Sequence, residues 1–177
     1  MGKLRMQEEM RQLQKDAWVP VYLVPDLGVI VEKLHLLKQL AGAHKFVVVV
    51  QTSIIRTLDK MKKESAAVRE SIRWLEMCLQ QGNKYVRAQK ETERVDLTDA
   101  SDLPRETVDV LSCCASLSSK LSSGGATIAT LITSQSPGSA PFRALQDAIR
   151  ERGIYGVDIS NVHQFNRRWM AHSKQHG

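Results

Sequence analysis

Five consecutive apolar residues, Phe46-Val47-Val48-Val49-Val50, constrain the fold of this chain more than any other segment. β-Branched side chains are stiff at χ1 and suit a pleated strand. A strand with one face in water alternates polar and apolar residues. This one does not alternate, so both of its faces must be covered. Residues 46–50 therefore belong in a central parallel position, with helices on each side. Residues 21–24 and 127–133 have the same character, and residues 85–88 and 157–159 are shorter strand candidates.

Between these runs the hydrophobic period becomes helical. Ile30, Leu34, Leu37 and Leu40 predict a helix over residues 26–40, with Gly42 as its stop signal. Further helices are expected at about 52–62, 65–80, 104–121 and 142–152, and a last one capped by Asn161 and running through Met170. Residues 4–18 read as a helix with a weak stripe through Met6, Met10 and Leu13. Residues 89–103 are polar and aperiodic, and read as a loop. Strand and helix patterns alternate about five times. That rhythm predicts a three-layer α/β/α fold around a parallel sheet of four to five strands with right-handed crossovers. The 177 residues fit one such domain, expected at 19–172 between a helical extension (1–18) and a short tail (173–177).

Composition removes several function classes. Cys78, Cys113 and Cys114 lack regular spacing and read as reduced, intracellular core thiols, neither a disulfide frame nor a zinc site. The five histidines show no tight metal-ligand spacing. No apolar run approaches the ~20 residues needed to cross a bilayer, and residues 1–14 lack a signal-peptide core, so no membrane partner is expected. Ser134 is not in a Gly-x-Ser-x-Gly elbow, and Gly124-Gly125 lacks the lysine of a phosphate loop.

The candidate site is acidic and incomplete. Asp26 follows the first strand, at the sheet edge where open α/β folds place their chemistry. The strand expected to end beside it runs into Ser134-Gln135, with no carboxylate. A magnesium-dependent phosphodiesterase needs several converging carboxylates, because the ion must be held by oxygen ligands while it polarises phosphate and activates water. Asp26 has a second explanation as a helix N-cap. The other candidates are Asp59, crowded by Lys60, Lys62 and Lys63, and Asp109, one helical turn after Glu106. A net charge of +6 and a pI near 9.4 favour polyanions. Lys60, Lys62, Lys63, Arg69, Arg73, Lys84 and Arg87 are the candidate RNA-binding residues, to be weighed against ordinary solvated helix faces. Trp74 and Trp169 read as core or interface anchors.

The order of segments Val21-Tyr-Leu-Val-Pro-Asp26, Lys45-Phe-Val-Val-Val-Val-Gln51, Ile55-Arg-Thr-Leu-Asp-Lys-Met-Lys-Lys63 and Ala67-Val-Arg-Glu-Ser-Ile-Arg-Trp-Leu75 resembles a PIN domain. More narrowly, it is similar to the C-terminal PIN domains of the nonsense-mediated mRNA decay effectors. Gly82-Asn-Lys-Tyr-Val-Arg-Ala-Gln-Lys90 points to the catalytically degenerate member of that group. The resemblance covers residues 19–170. It implies that active relatives are magnesium- or manganese-dependent endoribonucleases with acids after the first strand, in the middle helices and after the fourth strand. Asp26 matches the first position and Asp59 lies in the segment that often supplies a glutamate. Asp109 falls slightly late in register, and Ser134 and Gln135 stand where an acidic signature is expected. The implied function is a non-catalytic interaction module of a cytoplasmic mRNA-decay adaptor, able to shuttle to the nucleus, with no cofactor. Its implied partners are paralogous effectors, the pathway helicase and phosphatase machinery. The alternative is weak, sequence-nonspecific RNA binding with residual endoribonuclease activity.

Overall fold

The valine run forms strand β2 (Val47–Val50), which lies between β1 (Tyr22–Pro25) and β3 (Val86–Ala88). On the other side β1 pairs with β4 (Ala129–Thr133), and β4 with β5 (Val157–Asn161). The order is β3-β2-β1-β4-β5 and every pairing is parallel. The coordinates come from a computed structural model, and they describe residues 5, 7, 16–97, 102–121 and 124–176. The helix expected over residues 4–18 falls largely outside them.

Side chains of the sheet alternate between two cores, as the period of a strand requires. Leu23, Val48, Val50 and Ile132 face one core, which is completed by α1 (Leu27–Glu32), α2 (Leu34–Gly42), α3 (Thr52–Met61), α4 (Ala66–Gln80) and α7 (Val162–His176). Val24, Val49 and Leu131 face the other, against α5 (Arg105–Ser119) and α6 (Ala140–Glu151). Each such side chain contributes about 1.5–3 kcal/mol by leaving water. A one-residue slip of any strand would exchange its two faces, so the register is strongly specified.

The single helix expected over 26–40 is two. Lys33 leaves helical geometry at φ −124° and ψ 32°, although no Gly or Pro marks the place. The break removes the intrahelical donor from the Ile30 carbonyl, and the buried Ser71 hydroxyl donates to it instead at 2.7 Å. Packing thus overrides local sequence: α1 turns toward α4, while α2 is free to lie along α7. The last helix runs on to His176 rather than ending at Met170, and Asn161 Oδ1 caps it by accepting from the His163 and Gln164 amides at 2.9 and 3.3 Å.

The described part of the polar segment after β3, residues 89–97, is a loop held by specific contacts. Glu93 has no exposed surface, yet it is charged. Arg87 grips it with two bonds of 2.6 and 2.9 Å, Lys120 joins from the end of α5, and the Lys90 amide donates at 2.8 Å. Two residues on, the Ser112 hydroxyl accepts from the Val95 amide at 2.9 Å and donates to the Val95 carbonyl at 2.7 Å.

The outer strands use side chains on their own backbone. In β5 the Ile159 amide donates to Asp158 Oδ1 at 2.8 Å, and the Ser160 hydroxyl donates to the Asn161 carbonyl at 3.3 Å. In β3 Arg87 Nη1 donates to the Ala88 carbonyl at 3.2 Å. Near the start of the chain, Asp16 meets His172 Nε2 at 2.8 Å, and Trp18 packs edge-on against Phe165 with Arg168 4.0 Å above its ring. Those contacts seat the entry to β1 on α7.

Candidate functional site at the carboxyl edge of the sheet

All strands run the same way, so their carboxyl ends share one edge. In sheet order the residues reached there are Gln89, Gln51, Asp26, Ser134 and Asn161. The chain moves outward from β1 to β2 and β3, then returns to β4 on the other side. The crevice between β1 and β4 is therefore the topological switch point, where this architecture places its ligands. Asp26 and the Thr133-Ser134 corner flank it. The sequence has a carboxylate on one side of the crevice and hydroxyls on the other.

Asp26 is the N-cap of α1: its Oδ1 accepts from the Val29 amide at 2.9 Å. Its Oδ2 accepts from the Thr133 hydroxyl at 2.6 Å, and the Ser134 amide also donates to the carboxylate. The pattern continues outward. The Gln135 amide donates to Thr133 Oγ1 at 3.0 Å, and Asn161 Nδ2 donates to the Gln135 carbonyl at 2.9 Å. Burial is the largest influence on the Asp26 carboxyl and holds it above the ordinary aspartate range, against the pull of Thr133, Val29 and Ser134; the charge of Glu32 adds to the rise. The acid is braced as a structural cap, and three protein donors already take up most of its roughly four lone-pair sites.

The other predicted acids lie on α3 and α5. Asp59 is exposed on α3, paired with Lys62 at 3.1 Å, and borders an apolar groove formed by Ile55, Leu58, Ile72, Leu75 and Leu79. Asp109 is half-buried early in α5. Among the described residues no group of three or more His, Cys, Asp or Glu side chains could hold a metal ion. A hard divalent cation such as Mg²⁺ is held by several oxygens, usually including one or two carboxylates with open lone pairs. One capped carboxylate beside hydroxyls and amides does not fit that ion.

Two participants escaped the sequence reading. The sequence places Thr133 at a candidate strand end but does not reveal its bond to Asp26, which depends on the β1–β4 register that pairs Pro25 with Ile132. Glu32, the acid whose charge reaches Asp26, lies at the far end of α1 with no distinguishing motif. Of the predicted basic residues, Lys60, Lys63, Arg73 and Lys84 are exposed, Lys62 is paired with Asp59, and Arg69 Nη1 donates to the Lys62 carbonyl at 3.0 Å. Arg87 is committed to Glu93. The three cysteines are free and buried, with burial pushing the Cys113 thiol up to about 12 and Cys114 well above the ordinary value. No helix among the described residues is long and apolar enough to cross a membrane.

Comparison with known proteins agrees with this geometry. A family profile described as PIN domain matches residues 23–136, from the first strand through the Ser134-Gln135 corner. The chain is 32% identical over 187 residues to the nonsense-mediated mRNA decay factor SMG5 of Danio rerio, and 32% identical over 188 residues to that of Homo sapiens. Those alignments cover 96% of this chain but only 17% and 18% of the relatives. Among solved structures, the PIN domain of human SMG5 superposes with a TM-score of 0.57 at 26% identity, covering 84% of this chain and 99% of that one. The parallel α/β/α sheet, the aspartate at its switch point and these matches together show that the chain belongs to the PIN-domain family, with close relatedness to the PIN domain of SMG5.

Proposed function

We propose that this domain is a non-catalytic PIN module of a nonsense-mediated mRNA decay adaptor, acting by binding protein rather than by cleaving RNA. One observation carries the reading: the carboxylate at the switch point is capped by Val29, Ser134 and Thr133, and the strand facing it ends in hydroxyl and amide side chains. The relatives' name, nonsense-mediated mRNA decay factor, supports a place in mRNA surveillance. The partners proposed are paralogous decay effectors, the pathway helicase and phosphatase machinery, met in the cytoplasm with passage through the nucleus. Asp26, Asp59 and Asp109 are then a vestigial acidic set, and Ser134 and Gln135 its degenerate positions.

The test is cleavage of single-stranded RNA by the rigorously purified chain with Mn²⁺. No metal-dependent cleavage is expected. Cleavage that disappears on Asp26→Ala would overturn the reading.

A second reading, RNA binding through the end of α3, is favoured by Lys60 and Lys63 standing exposed with Arg73 in a chain of net charge +6. Phosphate contacts of this kind weaken steeply with salt. Replacing Lys60, Lys62 and Lys63 together with Gln should flatten that salt dependence, and unchanged binding would remove the reading.

A further inference from the structure

The amino edge of the sheet, opposite Asp26, carries a feature of its own. His44 has φ +57°, the positive value among the described residues that does not belong to a glycine. It follows α2, donating its amide to the Ala41 carbonyl at 3.3 Å, in the left-handed position just past a helix end. Glycine ordinarily fills that position because a β-carbon crowds the following carbonyl. The histidine kept there is exposed, and its ring lies flat on Tyr85: the centroids are 4.5 Å apart and the planes 7° from parallel. Tyr85 is itself held, its amide donating to Asn83 Oδ1 at 2.8 Å and its carbonyl accepting from Val48 at 2.8 Å. Lys45 and Lys84, the chain neighbours of the two rings, are both exposed.

We propose that the His44–Tyr85 pair is a stacking platform for single-stranded nucleic acid, with Lys45 and Lys84 meeting the phosphates beside the stacked base. The unfavourable backbone at His44 is compensated in the free protein by the ring contact with Tyr85, and it serves to present a flat ring at the surface. Aromatic platforms flanked by cations bind single strands with little sequence preference, since every base offers a π-face. The lysines add a salt-sensitive component. This site is separate from the α3 lysines and does not depend on them. It is compatible with a domain that cleaves nothing, because stacking and phosphate contact require no metal.

The experiment measures fluorescence anisotropy of a labelled oligouridylate of about ten nucleotides against the full 177-residue chain, at low and at physiological salt. His44→Gly should leave the melting temperature unchanged or raise it, because the left-handed backbone is relieved. It should nonetheless weaken binding roughly five- to tenfold, the lower end of the range for one lost base stack. Tyr85→Leu should weaken it comparably, and Lys45→Gln with Lys84→Gln should reduce the salt slope by about 1.4. Wild-type affinity in His44→Gly would overturn the platform, as would the absence of any binding at low salt. If His44→Gly binds normally while the Lys60, Lys62 and Lys63 triple variant does not, the α3 reading stands and this one falls.

Discussion

Ser134 closes over Gly28: its Oγ lies 2.3 Å from the point where a β-carbon on Gly28 would stand, and its own β-carbon 3.3 Å from it. Glycine in the first turn of α1 is thus explained by its neighbour across the crevice. Gly28→Ala alone should destabilise the fold by about 1 kcal/mol or more, because Ser134 must leave its rotamer and the corner shift. In a Ser134→Ala background the same change should be neutral or stabilising by up to about 1 kcal/mol, the helix preference of Ala over Gly. Urea denaturation of the four proteins in the cycle measures the coupling, and additive effects would contradict the contact.

Position 134, across the crevice from Asp26, makes a gain of metal binding testable. Ser134→Asp would set a second carboxylate beside Asp26, and two acids sharing a site raise each other's pKa. Without metal the variant should be less stable at neutral pH than at pH 5. With millimolar Mn²⁺ its melting temperature should rise by roughly a few degrees, whereas the parent chain should not respond. An equal rise in the parent would show that one acid suffices.

Asp26 carries a pH signature of its own. Its carboxyl is raised by burial, so the stability associated with it is fully present below the ordinary aspartate range and is lost as pH rises through the folded-state value. Asp26→Asn keeps an acceptor for the Val29 amide and removes the buried charge. Its melting temperature should equal or exceed the parent's at pH 7, with the difference shrinking toward pH 4. Asp26→Ala instead loses the cap and should cost about 0.5–2 kcal/mol. A large loss in the Asn variant at neutral pH would mean that the charge itself is needed.

Glu93 has the opposite sign. Burial would raise its carboxyl, but Arg87, Lys120 and the Lys90 amide bring it down from 4.5 to about 2. A depressed acid stabilises above its unfolded-state value and loses that contribution as pH falls through the folded one. That contribution is lost as the pH falls from about 4.5 to about 2. Glu93→Gln should lower stability at pH 7 by about 1.5–3 kcal/mol, since two partly exposed cations lose a charged hydrogen-bond partner, and should flatten the acid limb of the profile. An acid limb unchanged in the variant would assign that transition to other carboxylates.

Thr130 offers a stabilising change. It is buried in β4, and its Oγ1 has no hydrogen-bond partner among the described residues. Valine has the same outline without the desolvated hydroxyl, so Thr130→Val should raise stability by about 1 kcal/mol. A fall in melting temperature would show that the hydroxyl is satisfied.

The sheet was legible in the sequence because strands buried on both faces appear as unbroken apolar runs, and residues 46–50 are the plainest of these. Asp26 was legible because a polar residue ending such a run must lie at the sheet edge. What was not legible depended on contacts distant in sequence. The break at Lys33 has no Gly or Pro to announce it, and follows from Ser71, which stands on another helix. Glu93 looked like one more charge in a polar loop, since its partners Arg87 and Lys120 come from different elements. Thr133 gained its role from strand register, which spacing along the chain does not reveal. The rotation of α3 is set by packing against α4 and that of α5 by packing against the sheet, and with them the direction of Asp59 and Asp109.

The side chains that Asp158, Ser160 and Arg87 turn onto their own strands have a consequence for recognition. An incoming strand joins a sheet by taking up the hydrogen-bonding groups of its outermost member. Here such a guest would first have to dislodge an aspartate from one border and, at the other, an arginine anchored to a buried glutamate. Among the described residues the sheet ends at five strands, and growth by templating is discouraged at both borders. A partner must read this domain from its helices, its corners or the two ends of its strands.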